Sequence, residues 1–253
     1  MRPVTVSLTT DGAVARLTLE RPESLNALNR AVAAELEEAL GRLEQSQEAS
    51  VVILSGRGRA FCAGNDIAEM PALSPDEARA VSERWAAIVE RFARLPQVTI
   101  AAVHGYALGG GLMLAIAQDL RIAEASARFG LPEVTLGFNP SYGIGRLLDI
   151  LGGAHARDLL LTGRMVEAAE AHRMGLVTRV VPDGTLEAAA AGMAAEIARH
   201  PRGGLAASKT IVADIRAGRP AAESQAYAAA LREDEAAKAR IAAFIARGKP
   251  GGA

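Results

Sequence analysis

Three consecutive glycines, Gly109, Gly110 and Gly111, stand between a strand-like run, VTIAAV, and an apolar segment that reads as a helix. The first N–H groups of a helix have no partner within it, so they point outward with the positive end of the helix dipole behind them. Glycine lets another molecule approach those donors closely, which suits negative charge developing on a carbonyl oxygen. Tight packing of the helix explains the same glycines equally well. A second segment, GRAFCAGNDIAEM, repeats the placement: Ala63 and Gly64 follow the strand-like SVVILSG and precede an acidic, helix-like piece. Two N–H groups from separate loops would make a two-donor pocket for one oxygen. Neither segment has the G-x-G-x-x-G spacing of a dinucleotide site or the G-K-[ST] ending of a P-loop.

The elements that must hold these loops alternate along the chain. VTVSLTTDGAVARLTLERP reads as a hairpin turning at Asp11-Gly12. Val32, Leu36, Leu40 and Leu43 recur at helical spacing before the strand SVVILSG. Ser74, Pro75 and Glu77 form a capping-box signature opening a helix that carries Trp85 and ends before Pro96. Strands at VTIAAV, near LRIA and at GLVTRVV complete the alternation, which predicts a mainly parallel α/β core. No fixed-period repeat is visible. From Thr185 onward the pattern is alanine-rich helix, giving a core over 1–184 and a helical region over 185–253.

Composition narrows the function. The chain has 253 residues, 50% of them hydrophobic, enough for a substantial core, and a net charge of -1, which argues against nucleic-acid and anionic-membrane partners. Its longest apolar run, Ala107 to Ala117, is too short to span a bilayer and is broken by glycine, and MRPVTVSLTT lacks a signal-peptide core. A cytoplasmic protein is expected. One cysteine and four scattered histidines imply neither an internal disulfide nor a metal.

Five motifs in order carry a resemblance: RPESLNALN (21–29), FCAGNDIAEM (61–70), HGYALGGGLMLA (104–115), FGLPEVTLGF (129–138) and LTGRMVEAAEAHRMGLVTRVVP (161–182). On these the chain resembles the crotonase, or enoyl-CoA hydratase/isomerase, superfamily over nearly its whole length. The resemblance implies a crotonase-like spiral of ββα turns and a C-terminal helical region that builds a homotrimer or a dimer of trimers. It also implies an acyl-CoA substrate, with coenzyme A part of the thioester and no separate cofactor. By carry-over, the N–H groups of Ala63 and Gly110 hold the thioester oxygen as an enolate forms, and Glu133 moves the proton. The substrate-side residues it implies are Arg21, Ala60, Asp66, Ile67, Met113, Ser141, Tyr142 and Lys249, with Arg21, Arg247 and Lys249 as candidates for the CoA phosphates. Taken alone, Glu133 reads as a loop carboxylate.

The chain departs from the hydratase pattern at Met113, where hydratases resemble one another in carrying a second glutamate. A thioether cannot accept a proton from water, so one carboxylate shuttling a proton between carbons, as in the family's enoyl-CoA isomerases, is the expected chemistry. Hydration by Glu133 with another partner is the alternative, and a noncatalytic acyl-CoA binder a third. Asn139, Pro140 and Ser141 supply none of the aspartate chemistry of some relatives. Cys62 reads as a small packed hydrophobe, His104 as a hydrogen-bonded structural residue, and Asp66 as a loop or helix-start residue. Trp85, Ile88 and Phe92 read as core. The lysine-rich helix of RNA-binding relatives has no counterpart in 29–46, which carries Glu35, Glu37 and Glu38 and no lysine.

Overall fold

The computed structural model describes residues 4–69, 73–218 and 235–248. A six-stranded sheet lies at its centre, in the order β1 (Val6–Asp11), β2 (Val14–Leu19), β3 (Val51–Gly56), β4 (Val98–Val103), β6 (Leu120–Glu124), β9 (Arg179–Val181). The β1–β2 hairpin is antiparallel and every other pair is parallel. Its turn centres on Gly12 and Ala13, one residue later than expected, because Asp11 still pairs with Val14. Gly12 takes φ +52, the positive value that the first central residue of a type II′ turn requires.

Strands buried on both faces serve two cores. In β3, Val52 and Leu54 join the main cluster with α1 (Arg30–Gln45) and α2 (Pro75–Arg94). Val51 and Ile53 point the other way, toward Leu186, Ala190 and Met193 of α6 (Leu186–Ala198). The helical spacing of Val32, Leu36, Leu40 and Leu43 is the buried stripe of α1, and Asn29 caps that helix by accepting the Val32 N–H at 2.9 Å. Both bonds of the Ser74–Glu77 capping box are present at the start of α2.

After β3, β4 and β6 the chain visits a second layer before entering a helix. β4 leads to β5 (Tyr106–Leu108) and α3 (Gly110–Ala117). β6 leads to β7 (Arg128–Gly130), a 3-10 turn at Pro132–Leu136 and α4 (Ile144–Thr162). β5, β7 and β8 (Met165–Glu167) form the second sheet, and α5 (Ala168–Arg173) returns the chain to β9. β3 leads to residues 61–65, whose Cys62 bridges Ala107 of β5. This is the expected ββα succession. Its turns differ in length, since β3, β4 and β6 begin at 51, 98 and 120, which is why the sequence shows no fixed period. The acidic piece after Gly64 is not the expected helix: residues 67–69 form a turn, with Asp66 Oδ1 accepting the Ala68 N–H at 3.2 Å. A short acid that bonds its own backbone two residues on competes with helix formation.

Beyond 185 the described residues lie mostly in helices, and α6 covers the second face of the sheet and shares its core. α7 (Arg202–Arg216) is fastened by Lys209, whose buried Nζ reaches Asp119 and the Gln97 carbonyl, each at 2.8 Å. α8 (Glu235–Gly248) exposes Ile241, Phe244 and Ile245. No helix among the described residues is long and apolar enough to cross a membrane.

Candidate active site

The site begins with a loop held from one side by residues 21–29. Arg21 donates to Asp66 at 3.0 and 3.1 Å and to the Ala27 carbonyl at 2.5 Å. The Leu28 N–H donates to Gly64 O at 2.8 Å, and the Asp66 N–H to Leu28 O at 2.9 Å. Buried Asn26 donates to the Arg57 and Ala60 carbonyls at 2.9 and 2.7 Å and accepts the Arg21 N–H. Leu25 and Asn26 adopt φ +51 and +58. This left-handed backbone costs roughly 1–2 kcal/mol per non-glycine residue and persists here because so many bonds determine it.

This bonding overturns one expectation. The Ala63 N–H donates to Leu25 O at 2.9 Å and is not available to a substrate oxygen. The Cys62 N–H donates to Tyr106 O, and the Gly64 N–H serves the Cys62 sulfur. Between Gly64 and Asp66, the Asn65 N–H has no partner among the described residues. The open N–H lies two residues beyond Ala63 because the Leu25 carbonyl, brought in by the left-handed turn, reaches Ala63 first.

The second open N–H is that of Gly110. Gly110 opens α3, so its N–H has no partner within the helix, while the Gly109 N–H donates to Gly130 O at 2.9 Å. Gly64 brings the two loops together, since a methyl built on it would lie 3.5 Å from Gly110 N. The three glycines have separate reasons. Gly109 takes φ +50, and a methyl there would sit 2.9 Å from Glu133 Oε1. One on Gly110 would lie 2.5 Å from Tyr142 Oη and overlap Asn65 Oδ1, and one on Gly111 would overlap the Cys62 carbonyl. Close packing and open donors are therefore both true, at neighbouring residues.

Glu133 reaches this point because β7 pairs with β5 up to Leu108–Gly130, after which Pro132 starts the 3-10 turn. Gly137 closes the turn at φ +85, and the Phe138 N–H returns to Glu133 O at 3.2 Å. One carboxylate oxygen, Oε2, is buried without a hydrogen-bond partner. Burial holds the carboxyl above its ordinary pKa, opposed by a hydrogen bond from its own backbone. A half-desolvated, raised carboxylate facing a helix N-terminus is fit to take up and return a proton.

Tyr142 is buried, and its hydroxyl donates to Asn65 Oδ1 at 3.0 Å. Burial, reinforced by Cys62 and Glu133, keeps the phenol protonated. Met113 is buried under the same loop, its sulfur 2.7 Å from a methyl built on Gly143. The Ser141 hydroxyl is bonded to Ser82 of α2 at 2.7 Å. A hollow of about 40 Å3 between α1, α2 and residues 65–69 touches Asn65 and Asp66 and is lined in part by Trp85. A larger one, about 540 Å3, lies under α7 and includes none of Glu133, Asn65, Gly110 and Tyr142.

Of the residues expected on the substrate side, Met113 and Tyr142 gather with Glu133 and Gly110. Arg21 and Asp66 do not point to phosphate: they hold each other with side chains only 17% exposed, and so clamp the donor loop. Ala60 is buried, with its carbonyl taken by Asn26. Ile67 is exposed at the rim. Lys249 lies outside the described residues, and of Arg247 only its place in α8 is described. Cys62 is buried, its thiol pushed up to about 12 by desolvation, and His104 Nε2 bonds the Gly58 carbonyl at 2.9 Å, so both are structural as expected. Trp85, Ile88 and Phe92 are core. Asn65 was not singled out from the sequence. A residue-by-residue accounting of the loop's amides finds it, but that needs the partner carbonyls, which come from residues 25–28 and 106.

The sequence model of the enoyl-CoA hydratase/isomerase family matches residues 9–250. A probable enoyl-CoA hydratase of Rhizobium meliloti (strain 1021) is 45% identical over 187 residues, 73% of this chain and 72% of that one. The short-chain-enoyl-CoA hydratase of Clostridium acetobutylicum is 42% identical over 178 residues, covering 70% and 68%. The crystal structure of an enoyl-CoA hydratase from Bacillus anthracis superimposes with a TM-score of 0.89 at 32% identity, over 97% of this chain and 98% of that one.

Proposed function

This chain belongs to the enoyl-CoA hydratase/isomerase family, and we propose that within it the protein moves the double bond of an enoyl-CoA thioester. The Asn65 and Gly110 N–H groups receive the thioester oxygen. Glu133 removes a proton from C2 of a 3-enoyl ester, the electron pair delocalises onto that oxygen as a dienolate, and Glu133 returns the proton at C4 to give the 2-enoyl ester. No water is consumed and the thioester is unchanged. The observation that carries this reading is the lone carboxylate: Glu133 faces the start of α3 with Oε2 unpartnered, while position 113 is a buried thioether. An apolar group there keeps water from the dienolate.

The names of the relatives above favour a second reading, hydration of the 2-enoyl ester, in which Glu133 activates water with a partner other than a second carboxylate. Incubating the protein separately with 2-enoyl-CoA and 3-enoyl-CoA in deuterated water, with mass analysis, separates the two. Isomerisation turns the 3-enoyl ester into the conjugated 2-enoyl one with no gain of water, and with deuterium at carbon only where the proton on Glu133 exchanges before its return. Rapid water addition to the 2-enoyl ester with the 3-enoyl ester untouched would overturn it. We propose further that the protein is a homotrimer or a dimer of trimers, supported by the apolar Ile241, Phe244 and Ile245 that α8 leaves exposed.

A further inference from the structure

The Asn65–Tyr142 pair stands at the mouth of α3, and neither residue type is required by the fold there. Tyr142 could be phenylalanine and still fill its place in the core. Instead its hydroxyl stands over Gly110 together with Asn65 Oδ1, the two atoms that a methyl at Gly110 would meet. The hydroxyl has one partner among the described residues, that same Oδ1 at 3.0 Å. The oxygen that receives it is an sp2 carbonyl oxygen, similar in shape to a thioester oxygen, and it lies beside two unpaired backbone donors. A neutral phenol in a buried site is a donor whose strength grows when its acceptor becomes anionic.

We propose that Tyr142 is a third hydrogen-bond donor to the thioester oxygen, and that the Asn65 carboxamide occupies that oxygen's place until substrate displaces it. On this assignment Tyr142 is a catalytic residue and the Asn65 side chain a placeholder, while the Asn65 backbone keeps its own donor role. The hydroxyl turns from Asn65 Oδ1 to the incoming oxygen, and its bond strengthens as enolate charge develops. Substrate and transition state are thus bound unequally, which is what accelerates a reaction. The proposal rests on the acyl-CoA reading above but holds for isomerisation and hydration alike, since both pass through the same oxyanion.

The test uses Tyr142→Phe, which keeps the buried ring, and Asn65→Ala, which keeps the backbone N–H. Two readouts avoid water addition altogether: deuterium exchange at C2 of butyryl-CoA in deuterated water, and the red shift in absorbance of a bound 2,4-dienoyl-CoA, which reports polarisation of its carbonyl. Tyr142→Phe is expected to bind the dienoyl ester nearly as well as wild type, with a smaller red shift and exchange slowed roughly 100-fold, the usual loss for one oxyanion donor. Asn65→Ala is expected to keep the red shift and bind more tightly, having nothing to displace. Unchanged exchange in Tyr142→Phe, or a red shift lost in Asn65→Ala and not in Tyr142→Phe, overturns the proposal alone. A wild-type protein that neither binds the dienoyl ester nor exchanges the butyryl ester removes the acyl-CoA reading and the proposal with it.

Discussion

Replacing each of the three glycines in turn by alanine separates what the fold needs from what the site needs. Gly110 is helical, where alanine is favoured over glycine by up to about 1 kcal/mol. Its new methyl meets two side-chain ends, Asn65 Oδ1 and Tyr142 Oη, and displacing their hydrogen bond costs about 1 kcal/mol. The two terms nearly cancel, so Gly110→Ala should melt within a few degrees of wild type. Its activity should fall roughly 100-fold or more, because the methyl fills the space above the donor. Gly111→Ala drives its methyl into the Cys62 carbonyl, backbone that also accepts the Leu108 N–H at 3.0 Å and cannot yield. Overpacking of this kind costs about 1–3 kcal/mol, or roughly 2–12 °C for a chain of this size. Gly109→Ala combines backbone strain at φ +50 with a methyl 2.9 Å from the Glu133 carboxylate, so stability and activity should fall together. Thermal unfolding by circular dichroism and turnover of enoyl-CoA esters measure the two axes. A Gly110→Ala protein with wild-type turnover, or one less stable than Gly111→Ala, would refute the assignment of Gly110 to the site.

Four further outcomes are expected. Because burial raises the Glu133 pKa, kcat/KM should fall with decreasing pH at values above the ordinary glutamate range, and Glu133→Gln should bind acyl-CoA yet lose most proton transfer. The raised pKa means the fold favours the protonated form and loses stability as pH rises through that pKa, so Glu133→Gln should gain relative to wild type at neutral pH and not at pH 4; equal denaturation midpoints at both pH values in the two proteins would contradict this. Asp66→Ala leaves the mostly buried Arg21 with only the Ala27 carbonyl and the exposed Glu23 carboxylate at 3.9 Å and should cost about 2–3 kcal/mol, with kcat falling as the Asn65 N–H shifts. If the Arg21→Ala and Asp66→Ala losses add fully in the double variant, the two do not act as one clamp. The Cys62 thiol, buried and pushed up to about 12, should resist iodoacetamide at pH 8 until the chain unfolds; rapid labelling of the native protein would show the loop open.

Periodicity, caps and turns were legible because they are local. The α1 stripe, the Ser74–Glu77 box and the buried β3 run each depend on a few consecutive residues, and all appear as expected. What failed was set by distant partners. Asp66 read as a loop, helix-start or substrate-side residue; it does bond the loop backbone at Ala68, but its ion-pair partner is Arg21, 45 positions earlier. Ala63 is named an oxyanion donor by the family resemblance, at small residues that follow a strand, yet an N–H is free only if no carbonyl reaches it. The left-handed Leu25 that supplies that carbonyl leaves no signature a leucine would reveal.

The same bonds explain why the site lies where it does. Cys62, Ala63, Gly64 and Asp66 all have partners for their N–H groups, and so does Gly109, which leaves Asn65 and Gly110 unpaired on two loops that Gly64 brings together. The fold leaves two donors and the Glu133 Oε2 acceptor open in one place, besides Thr5 Oγ1, Gln97 Oε1 and Gln118 Oε1, which are buried without a partner elsewhere. An unpaired buried polar group costs about 1–3 kcal/mol, which a ligand carrying both an acceptor oxygen and an acidic C–H would recover. A thioester has that oxygen on the carbon next to that C–H. The unfavourable part of this structure is therefore complementary to the substrate class proposed for it, and strengthening the fold by closing either donor, as a side chain at Gly110 would, should cost the chemistry first.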